Sequence, residues 1–296
     1  VSIVRQRPFG SVSGCKYHEF FAQKSDRISD LAFVFDQPSA DPTKSVLKTL
    51  AWFRLAAYHK LLMHSYVIGD IHGCLDELRY LVEALPFESG DRLVFLGDYI
   101  DRGPNSKGVL SYILELQAQT NLEIICLKGN HEDMFLAYLG LPGQHGDMFL
   151  YNGGYATLIS YGVKSKQSTL DEITSQVSRE HINFLTNLRT SFVMEPFICV
   201  HAGINPAKPL KKQTDSDLLW IRDEFIYNPH RLPYTVLFGH TPRSSVLFDL
   251  PYKIGLDTGL VYGNKLSCLE VVERALYQIT RGEKDVRRVA IVDQWN

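Results

Sequence analysis

Six residues in this chain have side chains suited to gripping metal ions: Asp70, His72, Asp98, Asn130, His201 and His240. Each lies within two residues of a glycine, where the backbone can turn sharply and come close to a ligand. Carboxylates, neutral imidazoles and an amide oxygen make a mixed nitrogen and oxygen donor set. Such a set suits Mn²⁺, Fe or Zn²⁺, and no thiolate is among it. A pair of metals needs one donor that reaches both, and the Asp98 carboxylate is the candidate bridge. Two cations about 3.5–4 Å apart lower the pKa of a shared water and so supply hydroxide near neutral pH. They also neutralise the oxygens of a phosphoryl group undergoing in-line displacement, which is largely an electrostatic problem. Taken singly, each residue has a plainer explanation: a Gly-Asp step after a strand is usually a turn, and a lone histidine usually packs. The set taken together is what points to a dinuclear centre.

The elements that must position these residues follow from the apolar pattern. Ser65 to Ile68, Leu93 to Leu96, Ile124 to Leu127, Phe197 to Val200 and Val236 to Phe238 are short runs rich in strand formers. Each runs into a polar cluster: Gly69-Asp70, Gly97-Asp98, Gly129-Asn130, His201-Ala202-Gly203 and Gly239-His240. Amphipathic stretches at Leu75 to Leu85 and Val109 to Gln119 separate the first of them. This order predicts an α/β domain with its chemistry at the strand ends. A terminal meander is predicted after Gly255, and the charged stretch Arg281 to Arg288 is predicted to be a turn.

Upstream of Met63, the first methionine, the pattern weakens. A turn-rich stretch around Pro38 leads to one amphipathic helix, with Asp41 as N-cap, Pro42 in its first turn, and Val46, Leu47, Leu50, Phe53, Ala57 and Leu61 on one stripe. Residues 63–296 are therefore expected to form the catalytic domain. Residues 1–62 are expected to be a dispensable N-terminal extension, non-native or poorly ordered. That extension holds nine Lys/Arg and five Asp/Glu, which leaves the rest of the chain acidic, and the near-neutral whole offers no argument for nucleic acid. Five scattered cysteines without a Cys-x-x-Cys pair argue for a reducing compartment. Cys126 and Cys199, in apolar runs, are expected in the core, while Cys74 is an oxidisable neighbour of the site or simply buried. No run of eighteen apolar residues and no signal-peptide pattern is present, so a cytoplasmic protein without stable membrane association is expected.

Gly69-Asp70-Ile71-His72-Gly73, Gly97-Asp98-Tyr99-Ile100-Asp101-Arg102-Gly103 and Gly129-Asn130-His131-Glu132, followed by His201-Ala202-Gly203 and Gly239-His240-Thr241-Pro242, resemble a known signature. It is that of the PPP-type serine/threonine phosphoprotein phosphatases within the calcineurin-like metallophosphoesterases, in their small bacterial form. The resemblance spans Met63 to about Val271. It implies an α/β sandwich of two mixed β-sheets flanked by helices. It implies Asp70 and His72 on the first metal, Asp98 on both, and Asn130, His201 and His240 on the second, the two ions being Mn²⁺ with Fe or Zn²⁺ as alternatives. His131 resembles the general acid with Asp101 as its orienting partner, and Arg102, Arg222 and Asn130 resemble the phosphate-binding residues. Asn152-Gly153-Gly154, Ser160-Tyr161-Gly162, Asp257-Thr258-Gly259 and Tyr262-Gly263 match later blocks of the small bacterial members, or are simply turns.

The implied activity is hydrolysis of phosphoserine and phosphothreonine, and of phosphotyrosine, in a phosphoprotein or phosphopeptide by a metal-bridging hydroxide. Symmetrical hydrolysis of diadenosine tetraphosphate is the alternative, because those enzymes share nearly all the motifs. Asp101 leans toward the protein phosphatase, since the tetraphosphate hydrolases can lack it. The Ser-Ala-Pro-Asn-Tyr loop of the larger phosphatases is absent, so no regulatory subunit is expected. A non-catalytic metal-binding scaffold is a more distant reading, because no ligand or acid is missing. The remaining histidines, and Trp52, Trp220 and Trp295, are expected at the surface or in packing.

Overall fold

The computed structural model describes residues 63–165 and 167–294. The predicted extension 1–62 and its amphipathic helix lie outside the described residues. In chain order the strands are β1 (Ser65–Ile68), β2 (Arg92–Phe95), β3 (Glu123–Cys126), β4 (Ser191–Met194), β5 (Phe197–Val200) and β6 (Thr235–Phe238). After them come β7 (Leu247–Asp249), β8 (Lys253–Gly255), β9 (Lys265–Glu270), β10 (Ala275–Thr280) and β11 (Val286–Ala290). The helices that matter for the site are α1 (Leu75–Ala84), α2 (Ser106–Gln119), α3 (Asn130–Tyr138), α4 (Tyr155–Ser160), α5 (Leu170–Gln176), α6 (Arg179–Thr186), α7 (Asp215–Trp220) and α8 (Asp223–Ile226).

Two mixed sheets result, as expected. One runs β11-β10-β9-β1-β2-β3, the other β4-β5-β6-β8-β7. In the first, β1, β2 and β3 are parallel, because α1 and α2 carry the chain back between them, and β9, β10 and β11 add antiparallel on the far side of β1. In the second, β5, β6 and β8 are parallel, with β4 and β7 antiparallel at the edges.

Register decides which side chains meet between the sheets. Val67 lies opposite Val94, and Val94 opposite Ile125, so all three point the same way. With Leu96 and Leu127 they pack on Phe197, Cys199, Leu237, Ile254 and Leu256 of the other sheet. The outer face of the second sheet, Ile198, Val200, Val236 and Phe238, packs on Leu218, Phe225 and Ile226 of α7 and α8. α1 covers β9 and β10. Both faces of the central strands are thus dry, which explains their continuous apolar runs. Cys126 and Cys199 are core residues, and Cys74 is buried too, which pushes its thiol up to about 12 and disfavours the reactive thiolate.

The predicted turn at Arg281 to Arg288 needs correcting. Only its first part turns, and Val286 opens β11, which pairs with β10 through Gln278 and Arg287. An edge strand with one face in water tolerates arginines, so its composition hides it. Among the described residues, no helix is long and apolar enough to cross a membrane.

Candidate metal centre

Five parallel strand ends deliver the donors: Asp70 after β1, Asp98 after β2, Asn130 after β3, His201 after β5 and His240 after β6. The C-terminal edges of both sheets therefore meet in one place. The loops leave their strands so tightly that His72, Asp98, Asp101, Arg102 and His240 all take left-handed φ, between 46° and 72°. Side chains rarely accept that conformation, and its concentration here marks a site held against its local preference. Gly129 permits the closest approach, since a Cβ there would overlap the Asp98 carboxylate.

Asp98 joins two groups of donors. Its Oδ2 lies 3.4 Å from His72 Nε2, and its Oδ1 lies 3.3 Å from His201 Nε2. The two clusters that could hold a metal ion are His72, Asp98 and His131, and Asp98, His201 and His240. Asn130 Oδ1 lies 3.0 Å from His201 Nε2 and 2.9 Å from His240 Nδ1. Asp70 stands beside them, accepting the His240 amide on both oxygens at 3.1 and 3.0 Å.

The donor chemistry tests whether cations fit. His72 Nδ1 donates to the Ile100 carbonyl and His201 Nδ1 to the Leu96 carbonyl, so in the neutral rings Nε2 carries the lone pair that faces inward. Burial pushes His72 down to about 3, and it lowers His201 and His240 as well, which keeps all three imidazoles neutral. Asn130 Oδ1 and His201 Nε2 therefore confront each other as two acceptors. Three carboxylates share the same dry space. Burial, then Asp257 and Asp98, raises Asp70; burial, then Asp98, raises Asp257 to about 6. Converging lone pairs and crowded negative charge are what a pair of cations would satisfy. The residues fit such a pair.

His131 behaves differently from the other three histidines. Burial alone would lower it, but Asp98 and Asp101 outweigh burial and raise it. Its Nδ1 sits 2.6 Å from Asp101 Oδ2, leaving Nε2 toward the cradle, 3.9 Å from Asp98. Asp101 is itself braced, with Thr157 Oγ1 donating to its Oδ1 at 2.6 Å and its amide donating to Thr157 and Ser106. The shift of His131 thus runs opposite to those of His72, His201 and His240.

Arg102 reaches the same rim, with Nη1 2.6 Å from His72 Nε2 and its amide donating to the Gly153 carbonyl. Asn152-Gly153-Gly154 therefore frames an arginine rather than merely turning the chain. Arg222 is the N-cap of α8, and its guanidinium lies 3.5 Å from the Thr241 hydroxyl, next to His240.

Sequence reasoning missed two supports. Glu132, at the third position of α3, is fully buried and accepts the amides of Asp98, Tyr99, Ile100 and Gly129 at 2.9, 2.8, 3.3 and 2.8 Å. Burial and Asp98 push it up to about 8, yet all four partners are donors, so the geometry favours the carboxylate. A helix whose N-cap is followed by Glu at the third position is the one signal that could have found it. Lys253 on β8 is also fully buried and donates to the carbonyls of Phe225, Ile226 and Asn228 at 2.6, 3.0 and 2.9 Å. It thereby closes the C-terminal end of the helix that Arg222 begins. Asp257 had been left open as a turn residue, and it proves to be buried beside the donors. His181, expected at the surface or in packing, is buried with Nδ1 2.6 Å from the Tyr161 hydroxyl, while Trp220 places its ring 6.5 Å from that of His240.

Residues 63–267 match the family described as calcineurin-like phosphoesterase. The chain belongs to that family. Within it, the chain is 36% identical to a zinc-dependent endopolyphosphatase of Saccharomyces cerevisiae, across 88% of this chain and 90% of that protein. A symmetrical bis(5'-nucleosyl)-tetraphosphatase of Coxiella burnetii is 42% identical over a shorter stretch, 26% of this chain and 25% of that protein. A solved structure provisionally described as a diadenosine tetraphosphatase superposes with a TM-score of 0.57 at 23% identity, covering 74% of this chain and 94% of that one. This calcineurin-like phosphoesterase is thus a metal-site hydrolase by family. Its likeness to relatives named for polyphosphate and dinucleoside tetraphosphate favours the alternative substrate expectation over the protein-phosphatase one.

Proposed function

We propose that this calcineurin-like phosphoesterase hydrolyses phosphoanhydride bonds within linear phosphate chains, with inorganic polyphosphate as its leading substrate. The observation that carries the reading is the sharing of Asp98 between two donor clusters, with the Arg102 guanidinium at the edge of one of them. Similarity along nearly the whole chain to an endopolyphosphatase supports the choice of bond. Hydrolysis of dinucleoside tetraphosphates is the second reading, supported by the 42% identity of the stretch shared with a tetraphosphatase.

In this reading Asp70 and His72 would hold one divalent cation and Asn130, His201 and His240 the other, with Asp98 placed to serve both. Such ions, when bound, activate water and neutralise phosphoryl oxygens. Zn²⁺ fits the donor set and the named dependence of the yeast relative, and Mn²⁺ fits the donor set equally. Arg102 and Arg222 hold phosphate oxygens of the chain, because a planar guanidinium can grip two at once. His131 holds a proton at Nε2 for the departing oxygen, with Asp101 fixing its ring. A phosphate leaving group is a far weaker base than an alkoxide, so this proton matters less for an anhydride than for a serine ester.

The test is a side-by-side panel on metal-reconstituted full chain: medium-length polyphosphate, diadenosine tetraphosphate and a phosphoserine peptide. Polyphosphate is expected to be cut with the highest kcat/KM. A phosphopeptide preferred by orders of magnitude would return the function to the protein phosphatases.

A further inference from the structure

Tyr262 has no part in the chemistry above, yet it stands one side chain from it. It ends a short turn, Leu260 to Tyr262, flanked by Gly259 and Gly263 at left-handed φ of 69° and 93°. The turn is anchored from below. Leu260 is buried, the Gly259 amide donates to Asp257 Oδ1 at 2.9 Å, and the Thr258 hydroxyl lies 2.7 Å from the Lys265 carbonyl and 2.6 Å from the Ser267 hydroxyl. Such a base holds the tyrosine in place while its side chain remains 63% exposed. A large apolar ring fixed in water has either a packing neighbour or a ligand to meet. Its known neighbour is Arg102, whose guanidinium carbon sits 5.7 Å from the ring centroid. That same guanidinium reaches to 2.6 Å from His72 Nε2. Ring, arginine and metal cradle therefore lie in sequence, along a path that a phosphate chain ending in an aromatic group would follow.

We infer that Tyr262 is a stacking platform for the base of a nucleoside-capped phosphate chain, with Arg102 on the adjoining phosphate. The inference rests on the phosphoanhydride reading and deepens it, because it makes a dinucleoside polyphosphate a substrate recognised at its base as well as at its phosphates. A bare polyphosphate offers the ring nothing, so the two substrates separate the roles of Tyr262. If the ring only steadied Arg102, both substrates would depend on it alike.

The experiment compares kcat/KM for diadenosine tetraphosphate and for medium-length polyphosphate in the metal-reconstituted full chain and in its Tyr262→Ala and Tyr262→Phe variants. Stacking of one base on one aromatic side chain corresponds to roughly a five- to hundredfold effect. The ratio of dinucleotide to polyphosphate kcat/KM is expected to fall at least about fivefold in Tyr262→Ala, chiefly through KM, and to return in Tyr262→Phe, which keeps the ring. Equal losses on both substrates, or an unchanged ratio, overturn the inference and leave the phosphoanhydride reading standing. So does a parent chain that cuts polyphosphate but not the dinucleotide. A parent that cuts neither while holding its metals refutes the phosphoanhydride reading itself. Stacking is then judged by the affinity of diadenosine tetraphosphate for the metal-loaded parent and Tyr262→Ala, where equal affinities overturn it.

Discussion

Replacing Glu132 by Gln changes one atom and very little shape, which makes it a sharp probe of how the cradle is held together. In the structure Oε1 accepts Tyr99 N at 2.8 Å and Ile100 N at 3.3 Å, while Oε2 accepts Asp98 N at 2.9 Å and Gly129 N at 2.8 Å. A glutamine keeps one oxygen and turns the other into an NH₂ donor. Its best orientation preserves the pair at Asp98 and Gly129 and leaves the amides of Tyr99 and Ile100 facing a donor. Each orphaned buried donor costs about 1–3 kcal/mol, and the longer contact to Ile100 belongs at the low end, so about 3 kcal/mol is expected in all. For a domain of this size that lowers Tm by roughly 6–12 °C. The four amides also tie the loop carrying Asp98 to the loop carrying Asn130, so metal affinity should fall by about 10- to 100-fold, as for other groups that orient ligands. The assay is thermal unfolding of the full chain in chelator, which removes any stabilisation by bound metal, followed by calorimetric titration with Zn²⁺ or Mn²⁺. A loss under about 1 kcal/mol together with unchanged metal affinity would refute the idea that this carboxylate organises the site.

Other perturbations test other parts. Asp98→Asn should weaken both metal sites together, seen as a fall in metal stoichiometry below two at concentrations that saturate the parent; full occupancy of both would exclude a shared position. His131→Ala should retain metal and lose far more activity on an alkyl phosphomonoester than on polyphosphate, and equal losses would remove its role as proton donor. Because Asp98 and Asp101 raise the His131 pKa, its protonated form extends to higher pH than an ordinary imidazole and is lost as pH climbs through the raised value. Asp101→Asn should therefore move the alkaline limb of the ester pH profile downward, and an unmoved limb would break the pairing. Lys253→Met leaves the carbonyls of Phe225, Ile226 and Asn228 without their donor, the first two of them buried, so it should destabilise by about 3 kcal/mol and raise KM more than it lowers kcat, through Arg222 at the other end of α8. Unchanged KM in a folded variant would confine Lys253 to stability.

Much of the framework was legible because the central strands are dry on both faces. Tyr66 to Ile68 and Phe197 to Val200 advertise themselves as apolar runs, and the breaks after them at Gly69, Gly97, Gly129 and Gly239 point at the loops. The other strands gave no such signal. β4 is half-exposed, β8 contains a lysine, and β11 contains two arginines, since one face of an edge strand meets water and a buried lysine can be satisfied by carbonyls. These segments were therefore overlooked or, at β11, read as a turn.

The sequence by itself determined the donor types, their order along the chain and their placement at glycine-flanked strand ends, because those are local properties of neighbouring residues. Only the tertiary structure showed that one carboxylate, Asp98, stands in two donor clusters, and that burial lowers three imidazoles while Asp98 and Asp101 raise His131. It alone placed Glu132, Thr157 and Lys253 under the site and Tyr262 beside Arg102. Charge state and support depend on burial and on partners 30 to 170 residues distant, such as His131 with Asp101 or His240 with Asp70, and no local pattern of residues encodes a distance in space.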